Sequence, residues 1–127
     1  MGKSIAGRTI MIVDDSSFVR TVLRDLLETQ GVNVILEAEN GVEAINGYQL
    51  HHPEVTIVDI HMPGINGLET AKEILLVDKD AKILICSGSW YESEINEALT
   101  MGIKGVIQKP FNLEGLATSI NNAIDSK

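Results

Sequence analysis

The stretch Thr9-Ile10-Met11-Ile12-Val13-Asp14-Asp15 joins a short, mostly apolar run to two adjacent aspartates. Three later runs are also followed or closed by a polar residue. They are Val55-Thr56-Ile57-Val58 before Asp59, Ile83-Leu84-Ile85-Cys86 before Ser87, and Val106-Ile107-Gln108 before Lys109. If the runs are strands of one parallel sheet, these polar side chains all lie at its carboxyl edge. In open α/β sheets that edge is where ligands bind.

Helical patterns alternate with the strands, which is typical of a parallel sheet covered on both faces. With a further strand near residues 32–37, the count is five strands and five helices. The apolar stripes that predict the helices are Phe18, Val19, Val22, Leu23, Leu26 and Leu27; Val42, Ala44, Ile45 and Tyr48; Leu68, Ala71, Ile74 and Leu75; Ile95, Ala98 and Leu99; and Leu113, Leu116, Ala117, Ile120 and Ile124. Because crossovers are right-handed, we predict a doubly wound α/β fold with the flavodoxin-like strand order 2-1-3-4-5.

The composition limits the classes of function. The 127 residues suffice for one domain, and we expect a single domain over residues 1–127 with no output domain. The 10 basic and 18 acidic residues give a net charge of -8, which disfavours binding to nucleic acid. Residues 1–8 lack the apolar region of a signal peptide, and no apolar stretch approaches the ~18 residues that cross a bilayer. We therefore expect a cytoplasmic protein without membrane contact. The single cysteine, Cys86, cannot form an internal disulfide and is predicted to be buried and inert.

The predicted strand order brings Asp14, Asp15 and Asp59 within reach of one another. Three carboxylates in one pocket repel unless a hard cation neutralises them, and Mg²⁺ accepts carboxylates, waters and phosphate oxygens. Each polar residue also has an ordinary structural alternative. The aspartate pair suits the start of a helix, Ser87 suits a turn, and Lys109 suits a solvated surface. The convergence at one edge favours a site.

Four motifs closely resemble the receiver domain of bacterial two-component response regulators of the chemotaxis-regulator-like family. The motifs are Met11-Ile12-Val13-Asp14-Asp15-Ser16, Val58-Asp59-Ile60-His61-Met62-Pro63-Gly64-Ile65-Asn66-Gly67, Ser87-Gly88 and Lys109-Pro110-Phe111. Each motif is weak alone. Together, in this order and at strand ends, they are a strong signal, and the resemblance covers essentially the whole chain.

The resemblance implies a role for each candidate residue. Asp59 would be the phosphoacceptor, which takes a phosphoryl group from the phosphohistidine of a sensor histidine kinase. The implied Mg²⁺ ligands are Asp14, Asp15, Asp59 and the backbone carbonyl of His61, and the implied contacts of the phosphoryl oxygens are Lys109 and Ser87. Such a protein catalyses only its own phosphorylation and dephosphorylation, so we do not expect an enzyme.

The resemblance also implies a stand-alone, monomeric signalling protein with a cis Lys109-Pro110 bond. A downstream protein would read the face made by helix four, strand five and helix five. Val106 departs from the family, which commonly has Tyr or Phe there, so the signal is expected to pass through Ser87 and the loop after strand four. Trp90 and Tyr91 suit either surface packing or contact with a partner.

Other functions of this fold class require different motifs or stay open. A chemotaxis role and a phosphorelay role, in which Asp59 passes the group to a second histidine protein, both stay open. A haloacid-dehalogenase-type phosphatase needs an Asp-x-Asp motif after strand one, whereas Asp14 and Asp15 are adjacent. A flavin-binding module needs a hydroxyl- and glycine-rich phosphate loop there, which the aspartates do not provide. A receiver that acts only as a scaffold is disfavoured by the intact set of site residues.

Overall fold

Strands and helices alternate strictly along the residues that the computed structural model describes, 4–88 and 92–126. In chain order the elements are β1 (Thr9–Val13), α1 (Ser17–Thr29), β2 (Asn33–Ala38), α2 (Gly41–His51), β3 (Val55–Asp59), α3 (Gly67–Val77), β4 (Ile83–Ser87), α4 (Glu92–Met101), β5 (Gly105–Gln108) and α5 (Leu113–Asp125). All strand pairs are parallel, and the sheet order is β2-β1-β3-β4-β5. The predicted fold and strand order are confirmed.

The sheet separates two apolar layers. Buried residues of α2, α3 and α4 pack on one face together with Met11 and Val13, whereas buried residues of α1 and α5 pack on the other face together with Ile10 and Ile12. Successive residues of β1 therefore serve opposite layers, as the alternation of side chains along a strand requires. Because both faces are covered, the strands read as nearly continuous apolar runs, with Glu37 and Thr56 as polar exceptions inside β2 and β3.

Polar caps fix where the helices begin. The side chains of Ser16, Asn40, Asn66 and Asn112 each accept a hydrogen bond from a backbone N–H in the first turn of α1, α2, α3 and α5, respectively. Each cap satisfies a donor that the helix itself leaves free. Since α1 and α3 start immediately beyond the site loops, their caps also hold those loops in place.

The apolar stripes overstate how much of each helix is buried. Leu23 and Leu27 of α1 are buried, but Phe18 is 76% exposed, and Val42 and Leu99 are also exposed. Phe18 lies in the first turn of α1, at the carboxyl edge, where the helix has only begun to cover the sheet. Strand β2 is also displaced by one residue from the predicted range, 32–37. Among the described residues, no helix is both long and apolar enough to cross a bilayer. Trp90 and Tyr91 lie outside the described residues.

Candidate functional site

Four predicted site residues follow or close adjacent strands at the carboxyl edge. Asp14 follows β1, Asp59 and Ser87 end β3 and β4, and Lys109 follows β5. Asp14, Asp59 and Ser87 are among the few buried polar residues in the described part of the chain. Burial of a charged group is costly unless it is paired or serves a function. Asp14 and Asp59 lie at the switch point between β1 and β3 and Ser87 lies on the next strand, and this placement marks the edge as the candidate site.

The carboxylate of Asp14 is held on both sides. Its Oδ1 accepts a hydrogen bond from the backbone N–H of Ser16 at 2.9 Å, and its Oδ2 accepts one from Lys109 Nζ at 3.1 Å. The backbone N–H of Asp14 donates to the carbonyl oxygen of Ala38 at 3.0 Å, which anchors the residue to the end of β2. Asp14 is thus fixed in the pocket.

Asp59 lies beside the same lysine. Its Oδ1 is 3.4 Å from Lys109 Nζ and accepts a hydrogen bond from the backbone N–H of His61, also at 3.4 Å. Burial, followed by the charge of Asp14, raises the pKa of Asp59, although Lys109 and the His61 N–H partly oppose this. Two carboxylates with one ammonium leave negative charge in a buried pocket, and such a pocket favours an added cation.

Lys109 is the positive centre of the site. Burial disfavours its charged form, but the negative carboxylates of Asp14 and Asp59 oppose this, and the pKa of Lys109 is raised. Its backbone N–H donates to the carbonyl oxygen of Ser87 at 2.9 Å, and this bond ties the ends of β4 and β5 together. The Lys109-Pro110 bond is cis, as predicted.

Gly67 allows α3 to begin directly against the acceptor strand. A side chain at this position would collide with the backbone of Asp59 and Ile60, and the Gly67 N–H donates to the carbonyl oxygen of Ile60 at 3.1 Å. The second glycine of the motif after β3 is therefore required by close backbone approach. The close approach fixes the start of α3 against the loop that carries His61.

The donor set suits a hard divalent cation in part. Among the described residues, one group of potential ligand atoms lies within 4.8 Å of one another, and its members are Asp14, Asp59 and Cys86. The carboxylates suit Mg²⁺, which prefers oxygen. Burial raises the pKa of Cys86 to about 12, so its neutral thiol adds no hard ligand. Asp15 is exposed and is not a member of this group, and the His61 side chain is exposed as well.

The sequence did not single out Cys86 as a neighbour of the site. The predicted order places β4 beside β3, and this could have indicated the proximity, because Cys86 is the register partner of Asp59 in the β3–β4 pair. The prediction that it is buried is correct. The sequence also did not indicate that Arg20 contacts the site. Its guanidinium donates to the carbonyl oxygen of Asp14 at 2.6 Å, a contact that no short motif announces.

Comparison with known proteins assigns this arrangement to a family. The sequence profile described as the response regulator receiver domain matches residues 10–121. The chain belongs to the response regulator receiver family. Chemotaxis protein CheY of Bacillus subtilis is 37% identical to this receiver over 116 residues, which are 91% of this chain and 97% of that protein. Chemotaxis protein CheY of Thermotoga maritima is also 37% identical, over 91% of this chain and 96% of that protein.

Solved structures agree with the receiver assignment. The matching chain in the crystal structure of the CheX-CheY-BeF3-Mg²⁺ complex from Borrelia burgdorferi gives a TM-score of 0.90 at 27% identity, and the match covers 95% of this receiver and 92% of that chain. Vibrio cholerae chemotaxis protein CheY4 gives a TM-score of 0.85 at 27% identity, with coverage of 93% and 99%. The predicted family is confirmed.

Proposed function

We propose that this receiver accepts a phosphoryl group on Asp59 in a Mg²⁺-dependent reaction and signals the change to a protein partner. The observation that carries the proposal is the buried Asp59 carboxylate, which lies 3.4 Å from the Lys109 ammonium and next to Asp14. A buried carboxylate with a raised pKa and a specific charged neighbour is typical of a functional group. The receiver family supplies the reaction class.

In the proposed reaction, an Asp59 oxygen attacks the phosphorus of a phosphohistidine on the kinase. The new O–P bond forms as the N–P bond breaks, and the leaving imidazole keeps the electron pair and takes up a proton. The Lys109 ammonium lies 3.4 Å from Asp59 Oδ1 and would contact a phosphoryl oxygen after the transfer. Such transfers depend mainly on positioning and charge stabilisation.

Asp14 and Asp59 would hold the metal, with exposed Asp15 and the His61 backbone carbonyl as further proposed ligands. When bound, Mg²⁺ supplies positive charge that offsets the charge on the phosphoryl oxygens. The solved CheX-CheY-BeF3-Mg²⁺ complex of a similar protein contains Mg²⁺, and this supports the proposal that the receiver binds a cation. Ser87, buried at the end of β4, is proposed to donate to a second phosphoryl oxygen.

Phosphorylation is proposed to shift an equilibrium between two conformers of the face made by α4, β5 and α5. Ser87 and Lys109 connect the site to this face, because their backbones are hydrogen-bonded across the ends of β4 and β5. Val106 is only partly buried and packs against the core layer beneath α4. The similarity to chemotaxis proteins favours a chemotaxis kinase and target as partners.

The proposal is tested by incubating the protein with acetyl phosphate and Mg²⁺ and measuring its intact mass. We expect one phosphoryl group on the wild type, and no adduct after chelation of the metal. Asp59→Asn should gain none. Asp25→Asn, which changes an exposed aspartate on α1, is the matched control and should behave as the wild type. An adduct of equal yield on Asp59→Asn would contradict the proposal.

A further inference from the structure

Arg20 connects the acidic loop after β1 to the edge strand of the sheet. The residue lies at the end of the first turn of α1, and its side chain is only 14% exposed. Nη1 donates to the backbone carbonyl oxygen of Asp14 at 2.6 Å, and Nε donates to Glu37 Oε1 on β2 at 3.1 Å. One planar guanidinium therefore bridges a carbonyl oxygen and a carboxylate, a geometry that a lysine cannot reproduce with both bonds in fixed directions.

The bond to Asp14 completes the fixation of that residue. Its N–H and both carboxylate oxygens have the partners described above, and its carbonyl oxygen is held by Arg20. That carbonyl belongs to the peptide that joins Asp14 to Asp15, so Arg20 sets the plane of this peptide. The direction in which Asp15 leaves the backbone follows from that plane.

We propose that Arg20 is a positioning residue for the cation site: it holds the Asp14–Asp15 peptide in the orientation that cation binding requires. The inference rests on the Mg²⁺ site of the proposed function. Groups that orient the ligands of a metal typically change its affinity by about 10- to 100-fold when they are removed. Arg20 acts through the backbone of a ligand and does not itself touch the metal.

Glu37 makes this arrangement compatible with cation binding. A guanidinium near the acidic pocket would by itself repel a metal ion, but its pairing with Glu37 offsets the charge. Glu37 is held in turn by Arg24, whose Nη1 donates to Glu37 Oε2 and whose Nε lies 3.9 Å from Glu28. Arg20 can therefore position the loop with little added positive charge.

Arg24 also provides a matched control. It lies one turn after Arg20 on the same helix and pairs with the same glutamate, but its contacts run to Glu37 and Glu28 and not to the acidic loop. Removal of either arginine costs one pair with Glu37. Only the removal of Arg20 also frees the carbonyl of Asp14.

The test is Mg²⁺ titration of the full chain by isothermal calorimetry, with urea unfolding measured on the same samples. We expect Arg20→Ala to bind Mg²⁺ about 10-fold more weakly than the wild type and Arg24→Ala to bind it as the wild type does. Arg20→Lys should fall between, because one ammonium recovers only part of the bridge. The urea unfolding curves show whether the weaker Mg²⁺ binding of Arg20→Ala accompanies a general loss of stability.

Unchanged affinity in Arg20→Ala, or an equal loss in Arg20→Ala and Arg24→Ala, would overturn the inference. If Arg20→Ala does not fold, the Mg²⁺ affinity of Arg20→Lys is compared with that of the wild type, and an unchanged affinity overturns the inference. A wild type that binds no Mg²⁺ also overturns it. A wild type that binds Mg²⁺ but gains no phosphoryl group contradicts the proposed function alone, and the Arg20 comparison still stands.

Discussion

Replacement of Lys109 by methionine removes the positive charge of the site but keeps an unbranched side chain. Its Nζ lies 3.1 Å from Asp14 Oδ2 and 3.4 Å from Asp59 Oδ1, and the side chain is 24% exposed. At an effective dielectric constant of about 20, each contact is worth about 5 kcal/mol of gross Coulomb energy. Most of this is offset by the desolvation of the three groups. Breaking a buried pair typically costs 3–5 kcal/mol, and partial exposure places Lys109→Met near the lower end, at about 3 kcal/mol.

The assay is urea unfolding of a double-mutant cycle, with Lys109→Met made in the wild type and in Asp59→Asn, at a pH well above the ordinary carboxylate range. We expect Lys109→Met to cost about 1 to 2 kcal/mol less in the Asp59→Asn background, because only Asp14 is then left without its partner. Equal losses in the two backgrounds would refute the electrostatic coupling of Lys109 to Asp59.

Four variants test other features of the site and the core. The folded-state pKa of Asp59 is raised, so its ionisation lowers the stability of the fold as pH rises through that pKa. Asp59→Asn removes this ionisation and should increase the free energy of unfolding by about 1 kcal/mol at neutral pH. In unfolding curves measured at acid pH, this gain should vanish below the unfolded-state pKa. Among described residues, the buried Thr56 hydroxyl lacks a hydrogen-bond partner, whereas Thr70 Oγ1 donates to the Asn66 carbonyl at 2.9 Å. In thermal melts, Thr56→Val should thus stabilise the protein by about 1 kcal/mol, and Thr70→Val should destabilise it by a similar amount. Destabilisation by both substitutions would contradict the difference between the two hydroxyl groups. Gly67→Ala should cost about 2 kcal/mol and slow phosphorylation, because its Cβ would collide with the Asp59 backbone; wild-type kinetics would contradict it.

The sheet could be predicted from the sequence because both of its faces are covered. Burial on two sides makes each strand a short apolar run, and the polar residue at its end marks the carboxyl edge. Asp14, Asp59 and Lys109 were placed together on this ground, and the structure confirms their contact. The family motifs added the role of each residue, which strand patterns alone do not contain.

Other features depend on tertiary geometry and were not predictable from local patterns. Phe18 continues an apolar stripe but is exposed, because helical periodicity does not show where a helix begins to cover the sheet. The contact of Arg20 with Asp14 and Glu37 depends on the register of β2 beside β1 and on the side-chain conformation of Arg20, and the predicted strand order specifies neither. The exposure of Asp15 reflects the turn that follows β1, although its neighbour Asp14 is buried. Two adjacent identical residues therefore have different surroundings.

The most direct test of the central claim is to locate the phosphoryl group. The protein is phosphorylated with acetyl phosphate and Mg²⁺, treated with borohydride to reduce an acyl phosphate to an alcohol, digested and sequenced by mass spectrometry. We expect conversion of Asp59 alone, at a yield that follows the intact-mass adduct. Conversion of Asp14 or Asp15 in place of Asp59, or an adduct that leaves every aspartate unconverted, would contradict it.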